Sequence, residues 1–202
     1  MQRKRLSLLI VFVSILMAAC SYNIANPSYN EIEVNEFQWQ SFIWKPYEIN
    51  GTNYEKAALF IPIEFEDSKN TERKYLLQLD TGIFNSKIDG ITFNSINPPH
   101  EILVADAGEG IIFNGRIAGY DVKKLLSAVR KEAGLIIDES APIEIIVGSL
   151  GLQFFLGKTL VLDFPNNRLS ITSSEKQLPV DLTENVTYYP AKIMNNFFTL
   201  SR

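Results

Sequence analysis

Alternation of apolar and polar residues dominates the chain from residue 57 onward and predicts a fold made mainly of β-strands. Ala57–Phe65 is apolar and ends in alternation, and Tyr75–Leu79 is a short strand with apolar Tyr75, Leu77 and Leu79 at alternate positions. Further strands are predicted at Ile83–Ile88, Gly90–Phe93, Ile102–Ala105, Gly110–Phe113 and Ile143–Val147. The last two predicted strands, Leu160–Phe164 and Arg168–Thr172, flank the turn residues Pro165–Asn167 and therefore indicate a hairpin.

One segment departs from this two-residue period and predicts a helix over Asp121–Ala133. Its apolar positions follow the i, i+3, i+4, i+7, i+11 spacing of a helix face: Val122, Leu125, Leu126, Val129 and Ala133. Asp121 suits the N-cap and Gly134 suits the position after the last turn. Upstream, Asn114-Gly115 predicts a tight hairpin turn, and downstream Leu150–Leu156 predicts a short helix. The expected fold class is all-β with one or two short helices.

Residues 1–19 have the organisation of a secretory leader. Basic residues at positions 3–5 precede the apolar run Leu6–Ala19, which is too short for a comfortable membrane span. Cys20, the only cysteine, follows Ala18-Ala19 and resembles the lipidated cysteine of bacterial lipoproteins. We expect the mature chain to be lipid-anchored in the cell envelope, on the outer face of the inner membrane or in the outer membrane. The alternative is an ordinary cleaved signal with a chance cysteine.

Composition and charge narrow the chemistry that the domain can perform. The net charge is −4 and the pI is about 5.1, so the chain offers no basic face for a phosphate backbone and no nucleic-acid partner is predicted. One cysteine and one histidine are too few for a disulfide framework or a zinc site. We predict no metal and no cofactor, which leaves carboxylates as the candidate reactive groups.

The tripeptide Asp80-Thr81-Gly82 is the strongest candidate for a reactive site. It directly follows the predicted strand Tyr75–Leu79, so the carboxylate lies at the end of a buried element. Thr81 is β-branched and stiff, and Gly82 allows a tight turn that brings an N–H to the carboxylate. A carboxylate held by N–H donors can stay ionised at a partly buried position.

With its preceding strand, this tripeptide resembles the active-site strand of the retropepsin-like aspartic proteases, carried here by Leu77–Gly82. Ile146-Val147-Gly148, followed by Leu150–Leu156, is similar to the apolar-apolar-Gly strand and short helix of that family. Gly157–Arg168 is similar to its closing hairpin. The resemblance covers residues 57–172 and implies a retropepsin-like closed barrel or sandwich lobe.

The same resemblance implies a role for two glycines in the stretch Ala105–Ile111. Gly108 and Gly110 stand where the family keeps the flap that covers substrate. They are therefore candidate substrate-binding residues. Asp106-Ala107-Gly108 follows Asp80 too closely to start a second lobe of similar size, and it is interpreted as a turn.

The resemblance further implies that Asp80 activates water for peptide-bond hydrolysis, with Thr81 and Gly82 holding it in place. That mechanism needs two carboxylates, because one takes the proton of the water while the other, protonated, hydrogen-bonds the scissile carbonyl. The chain contains Asp-Thr-Gly once, so a second lobe or a homodimer partner must supply the other. Ile83 stands where the family usually has Ala or Ser, and it would crowd substrate.

Four segments follow from these predictions: the leader over 1–19, a polar tether and lead-in over 20–50, the retropepsin-like lobe over 51–175, and a tail over 176–202. Residues 188–200 open like a fresh strand and echo residues 53–63. The chain would then stop just inside a second lobe, as a truncated gene product or one half of a split pair. An ordinary C-terminal strand is the alternative.

Two functions remain open at this point. The first is a lipid-anchored aspartic endopeptidase, which hydrolyses peptide or protein substrates when two lobes pair. The second is a catalytically inactive lobe that serves as a peptide- or protein-binding module in the envelope, with Ile83 closing the former site.

Overall fold

The computed structural model describes residues 9–12, 30–32, 34, 36–66, 73–105, 108–137, 140–173, 177–183, 191–194 and 197–200. Strands predominate in this part of the chain, which confirms the all-β prediction. The strands are β1 (Leu9–Phe12), β2 (Glu31–Ile32), β3 (Gln40–Ser41), β4 (Ile43–Ile49), β5 (Thr52–Phe65), β6 (Lys74–Leu79), β7 (Lys87–Asp89), β8 (His100–Ala105), β9 (Gly108–Ile117), β10 (Tyr120–Arg130), β11 (Glu144–Leu150), β12 (Thr159–Asp163), β13 (Arg168–Thr172), β14 (Ala191–Met194) and β15 (Phe197–Leu200). The helices are α1 (Gly90–Ile96), α2 (Val180–Thr183) and two 3₁₀ turns at Leu152–Phe155 and Phe164–Asn166.

The larger sheet surrounds most of the apolar core. Its strand order is β2-β10-β7-β11-β6-β5-β9-β8, β4 lies beside β5, and β9 also pairs with β10. Neighbouring strands can therefore be followed from β10 through β7, β11, β6, β5 and β9 and back to β10. Fully buried side chains from these strands form the centre of the core: Ile61, Leu77, Ile88, Ile117, Leu125, Ile145, Val147 and Leu150.

A parallel pair, β6 with β11, lies in the middle of this sheet. Leu76 pairs with Ile146 and Leu77 with Gly148, with a register shift between them. On its other side, β11 pairs antiparallel with β7, where Gly148 opposes Ile88. A Cβ at position 148 would lie 2.1 Å from the carbonyl oxygen of Lys87. Only glycine allows β7 to approach β11 this closely, so Gly148 is required for the three-strand arrangement.

The smaller sheet has the order β1-β12-β13-β3. Its β12–β13 hairpin agrees with the prediction from the Pro165–Asn167 turn. The lead-in over 20–50 contributes to both sheets, since β3 pairs with β13 and β4 pairs with β5. The predicted lipidation site, Cys20, lies outside the described residues. In the tail, β14 and β15 pair with each other.

The predicted helix over Asp121–Ala133 is wrong, because this segment is the strand β10. A β-bulge explains the error. The pairing of β10 with β9 shifts between Val122 and Leu125, and Lys124 has a left-handed backbone with φ of 54°. Buried positions 120 and 122 precede the bulge, and buried positions 125 and 127 follow it. The extra residue turns a spacing of two into a spacing of three, which imitates a helix face.

The Asn114-Gly115 turn prediction is also wrong, because both residues lie inside β9. The hairpin turn is at Ala118-Gly119, where both residues have positive φ. Asn114 instead stabilises the bulge in β10, because its Oδ1 accepts the N–H of Lys124 at 3.1 Å. Gly115 lets β9 approach β5, because a Cβ there would lie 2.6 Å from the carbonyl oxygen of Glu64.

Three further boundaries differ from the sequence predictions. Ile83–Ile88, predicted as a strand, joins β7 only from Lys87, because residues 83–86 form the loop that follows the Asp80 turn. Gly90–Phe93, predicted as a strand, begins helix α1. Gly90, Thr92 and Phe93 are buried while the next two residues are exposed, a distribution that one turn of helix satisfies and an alternating strand does not. Leu150–Leu156, predicted as a short helix, is divided between the end of β11 and the 3₁₀ turn at Leu152–Phe155.

Candidate active site

Asp80 lies immediately after β6, at the point where the parallel pair ends. Its backbone N–H donates to the carbonyl oxygen of Leu150 at 3.1 Å, so the turn is fastened to the end of β11. Asp80 is half-buried, while Thr81 and Gly82 are exposed. The apolar strand β6 thus delivers a carboxylate to the surface at the edge of the core, as the sequence predicts.

The carboxylate of Asp80 is oriented by its own turn. The N–H of Gly82 donates to Oδ1 of Asp80 at 2.9 Å. A Cβ at position 82 would lie 3.2 Å from the same oxygen, so a larger residue would push the carboxylate aside. This is the geometry that the tripeptide predicts, and it leaves Oδ2 available for a substrate or a water molecule.

The loop after the tripeptide is held from the side of β11. The carbonyl oxygens of Ile83 and Phe84 accept the N–H groups of Leu152 and Gln153 at 3.0 and 2.9 Å. A Cβ on Gly151 would lie 2.5 Å from the carbonyl oxygen of Phe84. These contacts fix the loop against the start of the 3₁₀ turn, so the Asp80 turn has a supported backbone on both sides.

Two supporting residues were not found by sequence reasoning. Ser86 is buried, and its hydroxyl accepts the N–H of Gly151 at 3.1 Å. Gly151 is the second supporting residue, because a side chain there would collide with the backbone of the loop at Phe84. The Gly-x-x-Gly spacing of Gly148 and Gly151 is visible in the sequence and could have indicated two close backbone approaches on β11 and its extension.

The structure also brings Asp80 together with the second motif. Ile146 and Gly148 pair directly with β6, and Leu150, two residues beyond Gly148, accepts the N–H of Asp80. The two segments that carry the sequence resemblance are 66 to 68 residues apart in the chain and adjacent in the sheet. Ile83, the unusual residue after the tripeptide, is half-buried on the same turn.

The candidate flap is the hairpin of β8 and β9. Gly108 begins β9 opposite Ala105, and residues 106–107 at the tip lie outside the described residues. Gly110 lies deeper, between Leu103 on β8 and Ala128 on β10. The backbone of Gly110 therefore belongs to the body of the sheet, and Gly108 is the nearer of the two candidates to the tip.

The carboxylate of Asp163, at the end of β12, has a structural role. Asp163 is 1% exposed, and its carboxylate accepts hydrogen bonds from the N–H and side-chain amide of Asn166 and from Nε of Arg168. Burial raises the pKa of Asp163, but the hydrogen bonds from Asn166 and Arg168 outweigh it and hold the pKa below its usual value. Asp163 therefore accepts hydrogen bonds from groups within the hairpin and stabilises its turn.

Lys158 follows the 3₁₀ turn at Leu152–Phe155 and has a largely buried amine. Its Nζ donates to three carbonyl oxygens, those of Asn30, Phe154 and Leu156, at 3.3–3.4 Å. Burial lowers the pKa of Lys158. The amine ties the 3₁₀ turn after β11 to the residue that precedes β2.

The described residues hold neither a candidate metal site nor a candidate membrane span. They contain no cluster of three or more His, Cys, Asp or Glu side chains that could hold a metal ion. Among the same residues, no helix has the length and apolarity needed to cross a membrane.

Comparisons with known proteins give no family assignment. No protein-family model matches the chain, and a search of curated proteins finds no match.

Proposed function

We propose that this chain is one lobe of a lipid-anchored aspartic endopeptidase, which hydrolyses peptide bonds when two Asp-Thr-Gly lobes pair. The observation that carries the proposal is the Asp80 turn. Its carboxylate is half-buried, accepts the N–H of Gly82 at 2.9 Å, and is fastened through its own N–H to β11. Such a fixed carboxylate at the end of a buried strand is suited to general-base chemistry.

The chemistry would run between two such turns. One carboxylate accepts a proton from water as the water oxygen attacks the carbonyl carbon, and the other carboxyl group donates its proton to the carbonyl oxygen. Collapse of the tetrahedral intermediate breaks the C–N bond, the amine leaves with a proton from the first carboxyl group, and the second carboxylate takes back a proton from a hydroxyl of the intermediate as the C=O bond forms. Asp80 would fill either role, with the same residue of a second lobe in the other.

The sheet supports a retropepsin-like lobe as the setting for this turn. The ring of pairings from β10 through β6 and back is the connectivity expected of a small barrel. The adjacency of Ile146–Gly148 to β6 is the arrangement that the sequence resemblance implies. Anchoring through Cys20 would place the lobe in the cell envelope, where peptides and unfolded proteins would be its substrates.

The test compares two Asp→Asn variants in a chain that begins at residue 20 with Cys20→Ser. Asp80→Asn removes the proposed general base, while Asp121→Asn removes an exposed carboxylate of β10 that pairs with Arg116. Cleavage of an unfolded protein is followed by mass spectrometry at acid pH, with and without pepstatin. We expect pepstatin-sensitive cleavage by the parent and by Asp121→Asn, and none by Asp80→Asn.

Both variants should remain folded, because each carboxylate is at the surface and the Gly82 bond is exposed. Circular dichroism and urea unfolding provide that control. Undiminished cleavage by folded Asp80→Asn would overturn the proposal. The same conclusion would follow if the parent chain, shown to be paired, did not cleave at all.

One observation favours the second function, an inactive lobe that binds peptides. Strand β8 is at the end of the sheet and exposes apolar side chains, with Ile102 59% and Val104 87% exposed. An apolar edge strand can add a peptide by main-chain hydrogen bonds. Binding of extended apolar peptides without turnover, lost when Val104 is replaced by Lys, would favour this function over hydrolysis.

A further inference from the structure

Strand β12 is buried on both of its faces. Leu160 and Leu162 belong to the main core, while Val161 on the opposite face packs in a second cluster with Leu178, Phe37 and Trp39. All five residues of β12 are buried. A strand that is covered on both faces normally lies inside a sheet, with partners along both edges.

In this structure the outer edge of β12 is covered by the leader. Strand β1 pairs with it antiparallel, from Leu9 opposite Leu162 to Phe12 opposite Thr159. The apolar run Leu160-Val161-Leu162 contains no Lys or Pro, the residues by which free edges usually avoid pairing. If residues 1–19 are removed on secretion, as their sequence predicts, the backbone groups along this edge lose their partner.

We propose that the edge of β12 is the docking strand for a second copy of this chain, and that the leader strand occupies it until the leader is removed. The inference rests on the proposed function in one respect, namely that a second copy would supply the second Asp-Thr-Gly. Antiparallel pairing of β12 with itself about a two-fold axis at Val161 keeps Leu160 and Leu162 on the core face in both copies. The result is one continuous sheet that receives β12, β13 and β3 from each copy.

A second copy fits this edge for two reasons. An antiparallel strand pair centred on one residue is self-complementary, which is the requirement for a two-fold interface. The run Leu160–Leu162 is apolar and uncharged, so two copies can approach without repulsion between side chains at the junction. The seated leader strand already demonstrates that the edge accepts an apolar antiparallel strand.

The experiment compares the chain over 1–202 with the chain over 20–202, both with Cys20→Ser, by analytical ultracentrifugation. We expect a monomer for the longer chain and twice the monomer mass for the shorter one. A Lys-flanked peptide of residues 7–14, added to the shorter chain, should restore the monomer. The matched peptide with Ile10→Pro should have no effect, because proline removes a main-chain donor and cannot continue the strand.

Three results would overturn the proposal. They are a folded monomeric chain over 20–202, a dimer that the peptide does not dissociate, and a dimer that Phe198→Pro abolishes, since the last would assign the contact to the C-terminal hairpin. Asp80→Asn serves as a control variant, because it removes the proposed catalytic carboxylate but should dimerise like the parent chain. A dimer without cleavage would refute the proposed function and leave this inference intact. Cleavage by a dimer that Phe198→Pro abolishes would refute this inference alone, and cleavage by a monomer would contradict both, because the proposed function also requires two lobes.

Discussion

The hairpin that carries the proposed docking edge is closed by an ion pair whose two members should contribute unequally to stability. Nε of Arg168 donates to Oδ2 of Asp163 at 2.7 Å. The side chain of Asp163 is 2% exposed and that of Arg168 is 38% exposed. Removal of the arginine leaves a buried carboxylate, whereas removal of the carboxylate leaves a cation that water can reach.

The expected magnitudes follow from that difference. Arg168→Gln should lower the free energy of unfolding by about 3 kcal/mol, the lower end of the range for a broken buried pair, because the bonds from Asn166 remain. Asp163→Asn should cost about 1–2 kcal/mol, because the amide keeps an acceptor oxygen at this position and the partly exposed guanidinium of Arg168 can bind water instead. Arg168→Lys controls for the contact of the guanidinium with the Trp39 ring, 4.2 Å from its centroid, because it keeps a cation there.

The pH dependence gives an independent check on the same pair. The pKa of Asp163 is lowered in the folded state, so its contribution is fully present above the unfolded value and is lost as the pH falls through the folded value. The parent should therefore lose stability below about pH 4, the ordinary value for aspartate. Asp163→Asn should lack this component, and the penalty of Arg168→Gln should shrink on acidification, because the carboxyl group becomes neutral.

Urea unfolding followed by tryptophan fluorescence at neutral and acid pH measures all of these quantities. The reasoning fails if Asp163→Asn is as destabilising as Arg168→Gln at neutral pH. It also fails if the difference between parent and Asp163→Asn does not change with pH.

Three further substitutions test individual backbone features, each by urea unfolding. Gly148→Ala should cost about 3 kcal/mol or more, because its Cβ would meet the carbonyl oxygen of Lys87 at 2.1 Å; a change below 1 kcal/mol would contradict the close packing of β7 on β11. Tyr120→Phe should cost about 1–3 kcal/mol, because it leaves the buried N–H of Ile171 without its hydroxyl acceptor at 3.0 Å; an unchanged stability would rule out that bond. Lys124→Gly should stabilise the chain by up to about 1 kcal/mol, because φ is 54°, whereas a loss of stability would favour a helix there.

The sequence predicted most strands because their patterns are local. The apolar residues predicted for β5 and β6 include the buried runs Leu59–Ile61 and Tyr75–Leu77, so apolar content was enough to find these two strands. In β13, by contrast, the polar residues Ser170 and Thr172 are buried beside Leu169 and Ile171, which no apolar pattern predicts. The β12–β13 hairpin followed from its turn residues. None of these elements required knowledge of a distant partner.

The error at β10 has a different origin, because the bulge depends on contacts that are far apart in sequence. Asn30 accepts the N–H of Leu126 through its side chain at 3.1 Å and donates its own N–H to the carbonyl oxygen of Lys124 at 3.0 Å. Asn114 binds the N–H of Lys124. A residue 94 positions upstream of Lys124 therefore fixes the bulge, and no periodicity within residues 121–133 could reveal it.

For the candidate site, sequence reasoning identified the carboxylate and its turn but not the support behind them. Asp80 and Gly82 form a local motif, so their hydrogen bond was predictable from three residues. Ser86 and Gly151 support the loop through a contact across 65 residues, which has no local signature.

The connection between the Asp80 turn and the edge of β12 bears on how pairing would assemble a site. Leu150, which binds the N–H of Asp80, and Thr159, which begins β12, are joined by a 3₁₀ turn with little freedom. Gln153 in this turn donates to the carbonyl oxygen of Leu126 at 2.9 Å, and Lys158 donates to the carbonyl oxygens of Phe154 in the turn and of Leu156 just after it. Because this connection is held at both ends, the register of pairing at β12 would set the separation of the two Asp80 carboxylates. A slip of that register should therefore abolish cleavage even when dimerisation and the bond between Gly82 and Asp80 are retained.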